Sequence, residues 1–172
     1  LHSRGYRWIG EELGWADAAA PFALGGAGAF GAMLLELGDA EQTKRWLSPF
    51  GATGAHAMRG AVAWSESRPN ERAGFRTTAK KQGTDWILEG RKAYAIGGGV
   101  ADVHLVFAQI EPERGWDGIG AFVVERGKAG LKAGARQRPV GLDAVYFGEV
   151  ILDACSVPDR ARLAGGGDFL AA

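Results

Sequence analysis

The sequence predicts an α+β chain in which a helical segment leads into an antiparallel β-barrel or sandwich domain. Three observations carry that prediction. The first third of the chain holds helix caps and stop signals. From about Ala61 the hydrophobic period changes to two. The short runs that follow are separated by glycine-rich turns, with no helical pattern between them.

Taken in order, Glu11, Glu12, Leu13 and Gly14 read as the end of a helix, with Gly14 as its C-terminal cap. Residues 32–37 end a second helix, stopped by Gly38. Asp39 then caps a helix over residues 40–47, with Gln42 three positions on completing a capping-box pattern. Pro49 and Gly51 close it. Residues 61–64, 77–81, 86–89, 103–107, 121–124 and 146–152 read as strands. Turn signals at 82–85, 97–99, 113–118 and 127–130 divide them.

Composition removes several classes of function. Lys plus Arg total 20 and Asp plus Glu total 20, so the formal charge is zero. A nucleic-acid binder or a polybasic membrane arm needs a basic surplus, and none is clustered here. Glycine, at 28 of 172 residues, stands at about twice the usual ~7% share. The single Cys155 has no partner for a disulfide within the chain, which points to a reducing, cytoplasmic setting. The three histidines are far apart, no Cys/His pair has metal-ligand spacing, and His104 falls in an alternating run as a structural strand residue.

Two patterns between Asp17 and Glu36 are misleading. The 18 uncharged residues reach the length of a membrane span, but they are mostly Ala and Gly and include Pro21, so no membrane span is expected. Gly26, Gly28 and Gly31 spell G-x-G-x-x-G, yet residues 18–24 lack the β-branched character of the strand a dinucleotide fold requires. These glycines read instead as small packing residues between helices.

The order of elements and several local signatures resemble the acyl-CoA dehydrogenase family, from about Glu11 to Phe169. Residues 38–47 resemble its G-x-x-x-Q-K-x-x-x-L helix. Residues 84–92 resemble a g-w-x-L-n-G-x-K hairpin, and 118–124 a G-I-x-x-F-x-V strand. Ala101 and Asp102, Gly130 and Leu131, Gly141, and Val157 and Pro158 fall where the family has A-D, G-L, G-x-R and V-P. The resemblance implies residues 1–54 as the end of an N-terminal helical domain and 55–165 as a middle β domain. Residues 166–172 would begin the linker to a C-terminal four-helix bundle that lies outside this sequence. It further implies FAD, an acyl-CoA thioester substrate desaturated at its α,β bond, an oligomeric state, and an electron-transferring flavoprotein as acceptor. The family's catalytic glutamate belongs to that bundle, so no catalytic residue is assigned here.

Two flavin-facing segments follow from the resemblance, and both depart from the family pattern. T-E-P-x-A-G-S-D becomes Ser65, Glu66, Ser67, Arg68, Pro69, Asn70, Glu71 and Arg72, one residue shorter. Trp64, Ser65 and Glu66 would meet the flavin, and Glu71 would stand near the substrate with Arg68 or Arg72 to offset its charge. W-I-T-N-G becomes Tyr94, Ala95, Ile96, Gly97 and Gly98. Tyr94, Ala95 and Ile96 would flank the ring, but Ile96 replaces a threonine whose hydroxyl bonds near N5. Asp143 takes the arginine position of G-x-R. Two further readings therefore stand beside the enzyme: a related structural or partner subunit without flavin, and a small β-rich binding module with a helical extension.

Overall fold

The computed structural model describes residues 2–23, 28–51, 58–67 and 74–167. Four α-helices come first: α1 (His2–Ala16), α2 (Ala20–Ala23), α3 (Gly28–Leu37) and α4 (Ala40–Leu47). Seven strands follow: β1 (Gly60–Ala63), β2 (Thr78–Gln82), β3 (Asp85–Ile96), β4 (Val103–Gln109), β5 (Ile119–Glu125), β6 (Leu131–Gln137) and β7 (Phe147–Pro158).

The local caps act as the sequence predicts at α3 and α4. Gly38 donates its N–H back to the Leu34 carbonyl as α3 ends. The Asp39 carboxylate accepts the Gln42 N–H, and the Gln42 side chain accepts the Asp39 N–H. At α1 the outcome differs. Gly14 does not cap the helix, which runs on to Ala16. Gly14 instead lies 3.9 Å, measured from an ideal Cβ, from Pro21 Cγ, at the turn into α2.

One sheet of seven strands curls around the core in the order β1-β4-β2-β3-β7-β6, with β5 also on β4. β5 pairs along one edge of β4, while β1 and then β2 share its other edge. These last two pairings run parallel, unlike the antiparallel β2–β3, β3–β7, β6–β7 and β4–β5 pairs. The sheet wraps a core of Leu88, Leu105, Phe107, Phe122, Val124 and Val150. Apolar residues at five of its seven positions, with buried His104 and Gln109 at the other two, leave β4 wholly buried, as in a sheet covered on both faces. On one side the cover is α3, whose Phe30 and Leu34 are buried.

The strand over 131–137 has no counterpart among the runs read from sequence, and β3 and β7 extend further than expected. The G-x-G-x-x-G pattern opens no dinucleotide site: α2 precedes it, and Gly28 begins α3. Among the described residues a Cβ at Gly28 meets nothing within 4 Å, so Gly28 is no packing glycine there; Gly31 is buried in α3, and Gly26 lies outside the described residues. Among the described residues no helix is long and apolar enough to cross a membrane.

Candidate functional site

The site begins with an irregularity in β3. Lys92 pairs with Val150 of β7, but the next partners are Ala95 and Gly148, so three steps on β3 match two on β7. One extra residue inverts which face the side chains take. Strict alternation would put Tyr94 and Ile96 on the face of Lys92. After the bulge they share the face of Phe147, the partner of Ile96. Tyr94 is accordingly 52% exposed, while Ala93 and Ala95 are buried.

That face borders a cavity of about 450 Å³, within the ~300–1,000 Å³ range of small-molecule sites. Phe22 and Phe30 close it from the helices, Val62 from β1, and Tyr94, Ile96 and Phe147 from the sheet. Among the described lining side chains the polar ones are Arg59, Tyr94 and Tyr146, and none is a carboxylate. Flat aromatic and aliphatic walls of this size fit a planar heteroaromatic ring such as a flavin. The wall at Ile96 offers no hydroxyl.

The second segment, which follows β1, is fastened to the bulge. Ala93 donates its N–H to the Ser65 carbonyl at 2.8 Å. Lys92, fully buried, donates from Nζ to the Trp64 carbonyl at 3.0 Å and to Glu66 Oε1 at 3.1 Å. The Phe75 ring lies 3.5 Å from the same ammonium, a cation–π contact that helps to hold charge away from water. Glu66 also accepts the Thr77 N–H on Oε1 and the Arg76 N–H on Oε2, each at 2.9 Å.

Burial alone would raise the Glu66 carboxyl, but the N–H bonds from Thr77 and Arg76 and the charge of Lys92 prevail and hold it below its ordinary value. Burial pushes the Lys92 ammonium down to about 8, and the Glu66 carboxylate opposes a further fall.

The residues singled out by sequence therefore separate into groups. Tyr94 and Ile96 line the cavity, and Ala95 lies buried between them on the other face. Trp64 is packed edge-on against Phe75 and Phe107 and does not line the cavity. Ser65 is exposed, with its carbonyl engaged and its hydroxyl unbonded among the described residues. Glu66 spends its carboxylate on Lys92 and two backbone N–H groups. Glu71, Arg68 and Arg72 lie outside the described residues. Asp143 is exposed, and its carbonyl accepts from Arg136 Nη2 at 3.4 Å.

Lys92 closes the g-w-x-L-n-G-x-K pattern as a scaffold position, and the sequence reading gave it no role at the site. Its signal was a lysine at an inward strand position, two residues after Gly90. His104 is buried in β4, where Nε2 accepts the Gly99 N–H at 3.0 Å. Burial lowers it to about 4, against partial opposition from the Val124 backbone and Asp102. Among the described residues no group of three metal-ligating side chains converges.

Comparison with known proteins bears on the same region. The family model "Acyl-CoA dehydrogenase, middle domain" matches residues 61–155. An acyl-CoA dehydrogenase of Bacillus subtilis is 36% identical over 136 residues, covering 78% of this chain and 35% of its own length. The mitochondrial short-chain specific acyl-CoA dehydrogenase of Mus musculus is 32% identical over 131 residues, 76% of this chain and 31% of its own. The crystal structure of glutaryl-CoA dehydrogenase from Mycobacterium smegmatis superimposes with a TM-score of 0.77 at 31% identity, over 90% of this chain and 38% of that one. The chain thus spans well under half the length of the relatives it matches.

Proposed function

The chain belongs to the acyl-CoA dehydrogenase family, and from that premise we propose that it forms the flavin-facing β wall of an oxidoreductase that desaturates an acyl-CoA thioester. The observation that supports this reading best is the bulge in β3, which turns Tyr94 and Ile96 into an apolar cavity of about 450 Å³. FAD, when bound, supplies the hydride acceptor. Tyr94 offers an aromatic face beside the ring, and Val62, Ile96 and Phe147 supply dry walls that keep water from it. Ser65, exposed on the fastened segment after β1 and outside the cavity lining, would offer its hydroxyl to the cofactor's polar edge.

Among the described residues no carboxylate lines the cavity, and proton abstraction from the acyl group is assigned to a residue outside them. The acyl-CoA substrate, an electron-transferring flavoprotein as acceptor, an oligomeric assembly and a cytoplasmic setting belong to the same proposal. They rest on family membership and on cysteine usage.

Two observations favour the second reading, a structural or partner subunit without flavin. Ile96 has no donor to offer where a threonine hydroxyl is expected, and Glu66 is fully engaged by Lys92, Arg76 and Thr77. The visible absorption spectrum of the full gene product, as purified and after adding FAD, decides between them. Flavin bands with FAD released on denaturation support the enzyme. A colourless protein that takes up no FAD overturns it in favour of the structural subunit.

A further inference from the structure

We infer that the Lys92–Glu66 ion pair is a positioning device that holds the β3 bulge in register and thereby sets which residues form the cavity wall. The argument starts from how weakly a bulge is specified. An extra residue in a strand leaves unpaired backbone and can slip along its partner, and a slip of one position moves every following side chain to the other face. Here the slip would carry Tyr94 and Ile96 out of the cavity and onto the face of Lys92, where Trp64 and Phe75 pack.

Three contacts oppose that slip, made by Lys92, the last paired residue before the bulge, and by Ala93 within it. Lys92 Nζ reaches the Trp64 carbonyl and Glu66 Oε1, and Ala93 donates to the Ser65 carbonyl. Glu66 cannot follow a sliding Lys92, because the Arg76 and Thr77 N–H groups hold both of its oxygens. The pair is buried on both sides, with side-chain exposures of 0% and 8%, so water does not replace a lost contact. A buried pair of this kind is poor evidence for stability, since neutral residues of similar shape often serve as well. Its better-attested use is to select one arrangement among close competitors, and here the competing arrangements differ in the direction of Tyr94.

The inference rests on the flavin reading for its ligand alone; the direction of Tyr94 can be followed without one. The test uses the full gene product labelled with fluorotyrosine, which has three tyrosines in this region, with the Tyr94 resonance assigned through Tyr94→Phe. In the double variant Lys92→Met with Glu66→Gln, the Tyr94 resonance is expected to shift or split. FAD affinity, titrated by flavin absorbance, is expected to weaken roughly tenfold, a change of about 1.4 kcal/mol. An unchanged Tyr94 resonance in a folded double variant overturns the inference. If the double variant does not fold, Glu66→Gln alone is read instead: a smaller shift of the Tyr94 resonance supports the device, and no shift overturns it. Wild-type protein that binds no FAD defeats the flavin reading, and the fluorine comparison still decides the role of the pair.

Discussion

Gln42 Nε2 donates to the Arg162 carbonyl at 2.7 Å and to the Arg160 carbonyl at 3.1 Å, so the side chain that completes the α4 capping box also fastens α4 to the end of the β domain. Its Oε1 accepts from the N–H groups of Asp39 and Ala164. Gln42→Ala removes half of the cap and takes this donor away from the part-buried carbonyls of Arg160 and Arg162. The expected loss is about 2–3 kcal/mol, read as a lower urea midpoint at unchanged slope. Gln42→Glu keeps the acceptor but turns a carboxylate oxygen toward two carbonyls, and it is expected to cost more than alanine.

How stability depends on pH separates the two buried bases. Lys92 titrates near 8 when folded, below its unfolded value of about 10.5. Between those values the unfolded chain binds the extra proton, so stability contributed by this group rises with pH across that window. Lys92→Met is expected to flatten that rise, measured as denaturation midpoints from pH 8 to 10. His104 titrates near 4 when folded, against 6.5 for the free side chain. Its neutral form in the fold is therefore disfavoured by acid, and stability is lost as pH falls from about 6.5 toward 4. His104→Gln is expected to remove that part of the acid sensitivity while keeping an acceptor for the Gly99 N–H.

Gly130 stands at φ +85°, and a Cβ there would lie 2.7 Å from Cys155 Cα and press on the Asp153 carbonyl. Both obstacles are backbone of β7, which has no flexible end to move aside. Gly130→Ala combines a strained conformation with a clash, at an expected cost of about 2–4 kcal/mol in a thermal melt. Gly127→Ala is the control: its φ is also positive, at +80°, but the space is open, so only the strain remains.

The same molecule shows which parts of a fold a sequence displays. Asp39 and Gln42 were legible because a capping box is closed within four residues. The buried runs of β4 and β5 were legible because apolar side chains dominate both, with His104 and Gln109 the polar exceptions in β4. β6 was not: Lys132, Ala133, Gly134, Ala135 and Arg136 carry neither alternation nor β-branching, and the strand exists through pairing with β7 and the Ala135 N–H bond to Glu149. The parallel β1–β4 pairing joins segments some forty residues apart, and no local signal encodes it. At the site, Tyr94 and Ile96 could be placed by motif. The Lys92–Glu66 pair could not: both residues stand in family-like segments, but no local signal joins positions 26 apart until the fold buries the two charges together.

Ser65 tests whether the segment after β1 serves a ligand or the fold. Its carbonyl is held by Ala93, while its hydroxyl is exposed and unbonded among the described residues. Ser65→Ala should leave the unfolding free energy within about 0.5 kcal/mol of wild type, as for a surface change, and weaken FAD retention. Unaltered FAD affinity would remove Ser65 from the flavin's contacts.

Ile96 bears on the cavity from the other side. It is half-buried, faces the cavity with Phe147, and presents only aliphatic surface. Ile96→Thr keeps the β-branch, so strand geometry and χ1 preference are preserved. It removes apolar contact and adds a hydroxyl at a position open to the cavity, where the new group can meet a ligand or water. The loss of stability should therefore be about 1 kcal/mol or less. If a flavin ring lies against this wall, the hydroxyl adds a hydrogen bond of about 0.5–1.5 kcal/mol, and FAD binding tightens by roughly two- to tenfold. Titration of the variant and wild type side by side reads this directly. Equal affinities at equal stability would place the ring elsewhere and separate the cavity from the cofactor.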